Sequence, residues 1–115
     1  MIHLEQFFLI SLIVQLAHSI EELSTGFHKK WYLFKMPFWI FFLFEIVFTA
    51  FWVSVLLLTG FPHRESFQLA FLILMLANGI QHVIWACIVK KYVPGLVTAH
   101  LHILVFLLYL LRLLG

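Results

Sequence analysis

Residues 37–59 read PFWIFFLFEIVFTAFWVSVLLLT, and this apolar run decides the fold class. It holds a single charged residue, Glu45. A helix of roughly 20 apolar residues crosses the hydrocarbon core of a bilayer, which is about 30 Å thick. Pro37 suits the first turn of such a helix, and Gly60 follows its end. A helix is expected because lipid offers no hydrogen-bond partner to bare backbone groups.

Three further apolar runs flank this one, and short polar turns separate them. The pattern predicts spans over about 4–24, 37–59, 67–89 and 96–114. Of the 115 residues, 64% are hydrophobic and 10% are charged, whereas about 25% are charged in soluble domains. The sequence therefore predicts an all-α protein, a four-helix transmembrane bundle in a lipid bilayer. Residues 1–115 are expected to form one integral membrane domain.

The charged residues outside the spans indicate topology. A net charge of +2 is too small to suggest a nucleic-acid partner. The second loop holds Arg64, and the N-terminal tail holds no lysine or arginine. Five lysines lie in the first and third loops: Lys29, Lys30, Lys35, Lys90 and Lys91. The positive-inside rule then predicts that these two loops are cytoplasmic and that both termini lie outside.

Ionisable side chains inside the predicted spans are the strongest functional signal. They are His18, Glu21, Glu22, Glu45 and His82, and no lysine or arginine lies beside them within the spans. Each such group costs about 2.5–3.5 kcal/mol on insertion scales. The three carboxylates must therefore be neutralised, either by protonation, by pairing with histidinium or by a bound metal ion.

These groups are predicted to meet at one depth. At about 1.5 Å per residue, His18, Glu45, His82 and His102 all lie on the order of 10 Å from the cytoplasmic boundary. We prefer His102 to His100 for the bundle interior, because the two point in nearly opposite directions. Neutral polar residues on the same helix faces are Gln15, Asn78, Gln81 and Thr98. Such residues often only hydrogen-bond neighbouring helices, but four helices contributing at one depth indicate a shared site.

Three short motifs carry a family resemblance. His18-Ser19-Ile20-Glu21-Glu22 reads H-x-x-E-E, His82 is a second membrane histidine, and residues 92–95 read Y-x-P-G. In this order and spacing, over roughly residues 10–100, the chain resembles the HXXEE-domain family of small membrane-associated proteins, whose function is uncharacterised. The resemblance implies that the histidines and glutamates of these motifs act as a set, without naming a reaction.

A metal centre is the first functional hypothesis. Imidazole and carboxylate together suit Zn²⁺, Fe²⁺ or Mn²⁺. The expected ligands are His18, Glu22, His82 and His102. Glu21 and Glu45 are the candidate catalytic carboxylates, one of them acting as a general base. Groups expected to orient the ligands or the substrate are Asn78, Gln81, Gln15 and Thr98. The reaction would be a hydrolysis, or an oxidation with iron, of a lipid or another apolar substrate.

Other functions use the same residues. A metal-free enzyme could isomerise or cyclise an isoprenoid-like substrate, with a glutamate and a histidine exchanging protons in an apolar pocket. A small proton-coupled transporter could use a membrane carboxylate to exchange protons for a cation. An accessory subunit could use the polar cluster only to join helices. Either a monomer or a homo-oligomer is compatible with a bundle of this size.

Overall fold

The computed structural model describes residues 2–115 and is helical over most of that range. Its helices in chain order are α1 (Ile2–Thr25), α2 (Phe27–Lys30), α3 (Phe38–Leu57), α4 (Arg64–Val89) and α5 (Leu96–Leu114). Among the described residues, α1, α3, α4 and α5 are long and apolar enough to cross a membrane. The predicted all-α class and four-helix bundle are confirmed.

The main difference from the predicted spans lies between α3 and α4. The sequence places Arg64 in a polar turn, whereas the structure begins α4 at that residue. Its guanidinium donates hydrogen bonds to the backbone carbonyls of Val55 and Leu56 and to the carboxylate of Glu5. The last carbonyls of a helix lack partners within the helix, so one side chain closes the end of α3 and ties it to α1.

Two apolar clusters fill the end of the bundle that carries the second loop. One joins α1, α3 and α4 through Phe8, Leu12, Trp52, Val55, Phe71 and Met75. The other joins α1, α4 and α5 through Leu4, Leu72, Val105 and Tyr109. A third cluster lies at the opposite end, which carries the first and third loops, and contains Phe27, Phe41, Trp85 and Val93. We call this opposite end the lysine-rich end. A layer of buried polar side chains separates the clusters.

The four long helices are not packed equally. Helices α1, α4 and α5 contact one another closely, whereas α3 lies more loosely against them. Gly79 shows how close α4 and α5 come, because a Cβ at that position would lie 2.7 Å from the carbonyl oxygen of Ala99. Most large apolar side chains of α3 face outward. An outward apolar surface of this kind fits a lipid bilayer.

Candidate metal centre

Two histidines and one glutamate meet in the buried polar layer. His18 and Glu22 lie one turn apart on α1, and His82 reaches them from α4. Glu22 Oε2 lies 3.3 Å from His18 Nε2 and 3.2 Å from His82 Nε2. The ligand atoms of the three residues all lie within 4.8 Å of one another. All three side chains are buried, so this group can hold a metal ion away from water.

The contact with Thr98 shows that Nδ1 of the His18 ring carries a hydrogen. His18 Nδ1 lies 2.6 Å from Thr98 Oγ1. The Thr98 hydroxyl donates its proton to Glu21 Oε1 at 2.7 Å. A hydroxyl has one proton to give, so Thr98 must accept from His18, and Nδ1 carries the hydrogen. Nε2 of a neutral His18 ring then has a lone pair.

Hydrogen bonds on the other side of the ring give the same result. Trp31 Nε1 can only donate, and it lies 3.4 Å from Gln81 Oε1. Gln81 Nε2 in turn donates to Asn78 Oδ1 at 3.2 Å. The Asn78 amide nitrogen is therefore the donor to His18 Nε2, at 3.1 Å. The Thr98 contact places a hydrogen on Nδ1, and the Asn78 contact requires a lone pair on Nε2, so together they describe a neutral His18 beside the Glu22 carboxylate.

Packing against other rings holds the His82 side chain in place. Neither of its ring nitrogens has a hydrogen-bond partner within residues 2–115. Its 3.2 Å approach to Glu22 is close enough for an ion pair but lacks the geometry of a hydrogen bond. The ring packs at right angles to His18, with a centroid distance of 4.7 Å, and against Phe27 and Trp85. Buried polar atoms without partners are rare, so His82 is available to a ligand.

The donor set fits a divalent metal ion. Tetrahedral zinc with bonds of about 2.0–2.1 Å places its ligands about 3.3–3.4 Å apart. The observed separations of 3.3 Å and 3.2 Å are close to that value. Two histidines and one carboxylate also form the ligand set of several catalytic zinc sites and of the iron facial triad, both of which keep a position open.

Gly95 covers this group from the third loop. Its φ of 91° lies in the left-handed region that favours glycine. A Cβ at this position would lie 2.7 Å from Cε1 of both His18 and His82, and 3.1 Å from Cγ of Glu22. The Y-x-P-G segment therefore brings bare backbone against the three side chains. Sequence reasoning left Gly95 out of the site, although the segment was conspicuous as a motif.

Glu21 lies outside the group of three. Its carboxylate accepts hydrogen bonds from the backbone nitrogens of Val97 and Thr98, at 3.1 Å and 2.9 Å, and from the Thr98 hydroxyl. The Tyr92 hydroxyl donates to it as well. This arrangement satisfies free N–H groups at the start of α5 and places a negative charge at the positive end of that helix. Burial raises the pKa of the Tyr92 phenol, and the hydrogen bond to Glu21 raises it further.

Glu45 and His102 lie at the two ends of a second chain of polar side chains. His102 Nε2 lies 3.0 Å from Gln15 Oε1, and Gln15 Nε2 donates to Ser19 Oγ at 3.3 Å. The Ser19 side chain lies beside the Glu45 carboxyl. His102 is buried, and its ring centroid lies 5.3 Å from that of His18, but it is not in the group of three.

His100 lies on α5, and Ser19 lies on α1. His100 is exposed and contacts the Leu96 carbonyl oxygen at 2.8 Å. Ser19 was missed by sequence reasoning, although its position one turn after Gln15 was a usable signal.

A cavity of about 740 Å³ lies between α1, α3, α4 and the first loop. Its polar lining residues are Gln15, Glu22, Glu45, Asn78 and Gln81. Its remaining lining residues are Phe27, Trp31, Tyr32, Leu33, Phe34, Met36, Ile40, Phe41, Phe44, Phe48, Leu74, Met75 and Ala77. Glu22 belongs both to this lining and to the group of three, so a molecule in the cavity would lie beside the candidate metal centre.

Comparisons with known proteins identify the chain by family alone. No curated protein and no solved structure matches it. The family model described as "Protein of unknown function with HXXEE motif" matches residues 9–110. That range contains His18, Glu21, Glu22 and His82, together with the Y-x-P-G segment that covers them. The chain therefore belongs to the HXXEE family.

Proposed function

We propose that this protein is a membrane-embedded metalloenzyme. His18, Glu22 and His82 hold one divalent cation, either Zn²⁺, Fe²⁺ or Mn²⁺, beside a cavity for an apolar substrate. The observation that carries the proposal is the convergence of two histidine Nε2 atoms on one carboxylate oxygen, at 3.3 Å and 3.2 Å. The hydrogen bonds of His18 leave a lone pair on Nε2, which a metal ion could take in place of the Asn78 amide hydrogen.

Charge balance supports a cation over a histidinium. His18 has no N–H directed at Glu22, because Nδ1 carries its hydrogen. A divalent cation together with the carboxylates of Glu22 and Glu45 sums to zero charge, which lowers the cost of burying them in the membrane. Glu21 is compensated separately by the start of α5.

The residues around the cation have separate roles in this proposal. A bound divalent cation would supply Lewis-acid chemistry to a carbonyl or a water, or redox chemistry if it is iron. Glu45 lines the same cavity as Glu22, and we assign it the acid–base role. The sequence offered Glu21 as a second candidate catalytic carboxylate. We assign it instead the role of positioning His18 through Thr98. The reaction class is hydrolysis with zinc or manganese, or oxidation with iron.

The remaining polar residues support these groups. Asn78 and Gln81 line the cavity and can orient a substrate with their amides. Gln15 and His102 hold Ser19, which in turn contacts Glu45. His102 is therefore assigned to the acid–base side of the site and not to the metal ligands.

A metal-free acid–base enzyme is the second candidate. The observation that favours it is the placement of Glu45 on the cavity wall with Oε2 unpartnered within residues 2–115. A carboxyl in that position can exchange a proton with an apolar substrate without a metal. Activity that survives complete removal of metal would select this candidate.

Elemental analysis of detergent-purified protein, prepared without chelators, tests the metal proposal. We expect about one zinc, iron or manganese ion per chain, lost in a His18→Ala/His82→Ala double variant. His100→Ala is the matched control, because this histidine is exposed and away from the group of three. Wild-type protein that contains no stoichiometric metal, even after incubation with each ion, would overturn the proposal.

We also propose that the lysine-rich end faces the cytoplasm. The five lysines of the first and third loops support this orientation. The test places single cysteines at Lys91 and at His63 in a Cys87→Ser background and adds a membrane-impermeant maleimide to intact cells. We expect labelling at position 63 only. Labelling at position 91 alone would reverse the orientation.

A further inference from the structure

The cavity has a polar inner end and an apolar mouth. Glu22 and Glu45 at the inner end are each 5% exposed. Ile40 and Phe44 of α3 and Leu74 of α4, which line the same cavity, are 42%, 55% and 44% exposed. In a membrane protein such residues face the hydrocarbon of the bilayer. The cavity therefore opens sideways toward lipid, and a ligand that enters from the bilayer meets the carboxylates with its leading end.

The charges of the lining restrict what that leading end can be. None of the described residues that line the cavity is a lysine or an arginine, whereas two are glutamates. An anionic end therefore meets no fixed positive side chain, and beside a cation already balanced by Glu22 and Glu45 it would add one uncompensated negative charge. If the cation of the proposed function is present, Glu22 and Glu45 are already balanced. A cationic end would then be buried without compensation too.

The lining also restricts the hydrogen bonds and the shape of the ligand. Asn78 and Gln81 offer amide groups near the inner end, and Glu45 offers an acceptor oxygen. The rest of the wall is aromatic or aliphatic. A volume of about 740 Å³ is within the usual range of ligand pockets, about 300–1,000 Å³. A hydrocarbon chain that ends in a hydroxyl or a carbonyl satisfies both ends of the cavity.

We infer that the cavity binds an uncharged, oxygen-terminated hydrocarbon chain, such as a long-chain alcohol or ester. The chain enters from the bilayer between α3 and α4, with its polar end directed at Glu22 and Glu45. The preference for an uncharged end rests on the proposed function, because the metal ion supplies the balancing charge. The loose packing of α3 against the other long helices suits this lateral route.

Fluorescence quenching in lipid nanodiscs tests the inference. The probes are mid-chain dibrominated octadecanol, octadecanoate and octadecylamine, which share one chain and differ in end-group charge. Trp31 lines the cavity, so a variant that keeps only this tryptophan reports contact with a bound chain. Trp39 is 66% exposed and does not line the cavity, so a Trp39-only variant reports partition into the bilayer. We expect saturable quenching of Trp31 alone, with octadecanol binding about tenfold more tightly than either charged probe, equivalent to about 1.4 kcal/mol.

A pair of variants locates the binding. Ala77→Phe on the Trp31-only background fills the cavity and should abolish the saturable component. Ala70→Phe is the control, because Ala70 is exposed on the same helix and does not line the cavity. Absence of saturable quenching, or binding of either charged probe as tight as that of octadecanol, would overturn the inference.

Metal content is measured on the same samples. If the samples contain metal but show no saturable quenching, the ligand inference is wrong and the metal proposal is unaffected. Selective octadecanol binding by protein that contains no metal supports the ligand class and contradicts the metal proposal.

Discussion

Glu21 and Glu22 are consecutive in the chain, yet their carboxylates contact different helices. Glu21 accepts hydrogen bonds from the start of α5, including the backbone nitrogen of Thr98 at 2.9 Å. Glu22 lies between His18 and His82, on α1 and α4. The two glutamates of the H-x-x-E-E motif can therefore be separated by experiment, although a helix turns by only about 100° between them.

Replacing each of these glutamates by glutamine should give different results. Glu22→Gln should abolish stoichiometric metal, because it removes the only carboxylate of the ligand group. Glu21→Gln should retain metal at saturation but weaken its affinity about 10–100-fold. It should also cost about 1–2 kcal/mol of stability by weakening the cap of α5. Metal titration and thermal unfolding measure the two effects, and equal loss of metal in both variants would contradict this division.

The Thr98 hydroxyl should determine which nitrogen of His18 is free. Thr98→Val keeps the shape of the side chain but removes the link between His18 and Glu21. We expect metal affinity to fall about 10–100-fold, with the change in stability near 1 kcal/mol. Thr98→Ser keeps the hydroxyl and should restore most of the affinity. If the valine variant binds metal as tightly as the serine variant, the link has no part in binding.

Gly95 should tolerate no side chain. Gly95→Ala would combine an unfavourable left-handed backbone, worth about 1–2 kcal/mol, with contacts of 2.7 Å to both histidine rings. We expect lower thermal stability together with loss of metal. Gly60→Ala is the control, because a Cβ there has nothing within 4 Å, and it should be neutral or stabilise by up to about 1 kcal/mol. Normal metal content in Gly95→Ala would show that the loop adjusts without disturbing the ligands.

The link between Tyr92 and Glu21 should make stability depend on alkaline pH. Burial, followed by the Glu21 hydrogen bond, raises the pKa of Tyr92 in the folded state. Its contribution is therefore fully present below the ordinary tyrosine pKa of about 10, and it is lost as pH rises through the folded-state value. Thermal unfolding of wild type and Tyr92→Phe across this range measures the loss. The wild type should lose more stability than the variant as pH rises. Parallel stability curves would show that Tyr92 does not cause the loss.

The fold was predictable because it depends on long, local patterns. The run at residues 37–59 needs only its length and composition to predict a spanning helix. Depth and helical face also led to His18, Glu22 and His82 as ligand candidates, and the structure places these three together. The start of α4 was harder to predict, because Arg64 is polar in sequence and caps a neighbouring helix in space.

The roles of adjacent polar residues could not be read from the sequence. A helical stripe gives a direction, but it does not say which neighbouring helix a side chain meets. The separation of Glu21 from the ligand group depends on where α5 begins, which Gly95 and its loop determine. The chain from His102 to Glu45 likewise depends on a contact between α1 and α3 through Ser19.

The hydrogen bonds around His18 also connect the cavity to the candidate metal centre. Asn78 lines the cavity and donates to the nitrogen that we propose as a metal ligand. Nε2 has a single lone pair, so a bound metal would displace this hydrogen bond. A cavity occupant that takes the amide frees the lone pair, and we therefore expect it to strengthen metal binding. Metal titrations with and without octadecanol measure the coupling, and identical affinities would exclude it. Thermodynamic linkage is reciprocal. If the occupant changes the affinity for metal by some factor, bound metal changes the affinity for the occupant by the same factor.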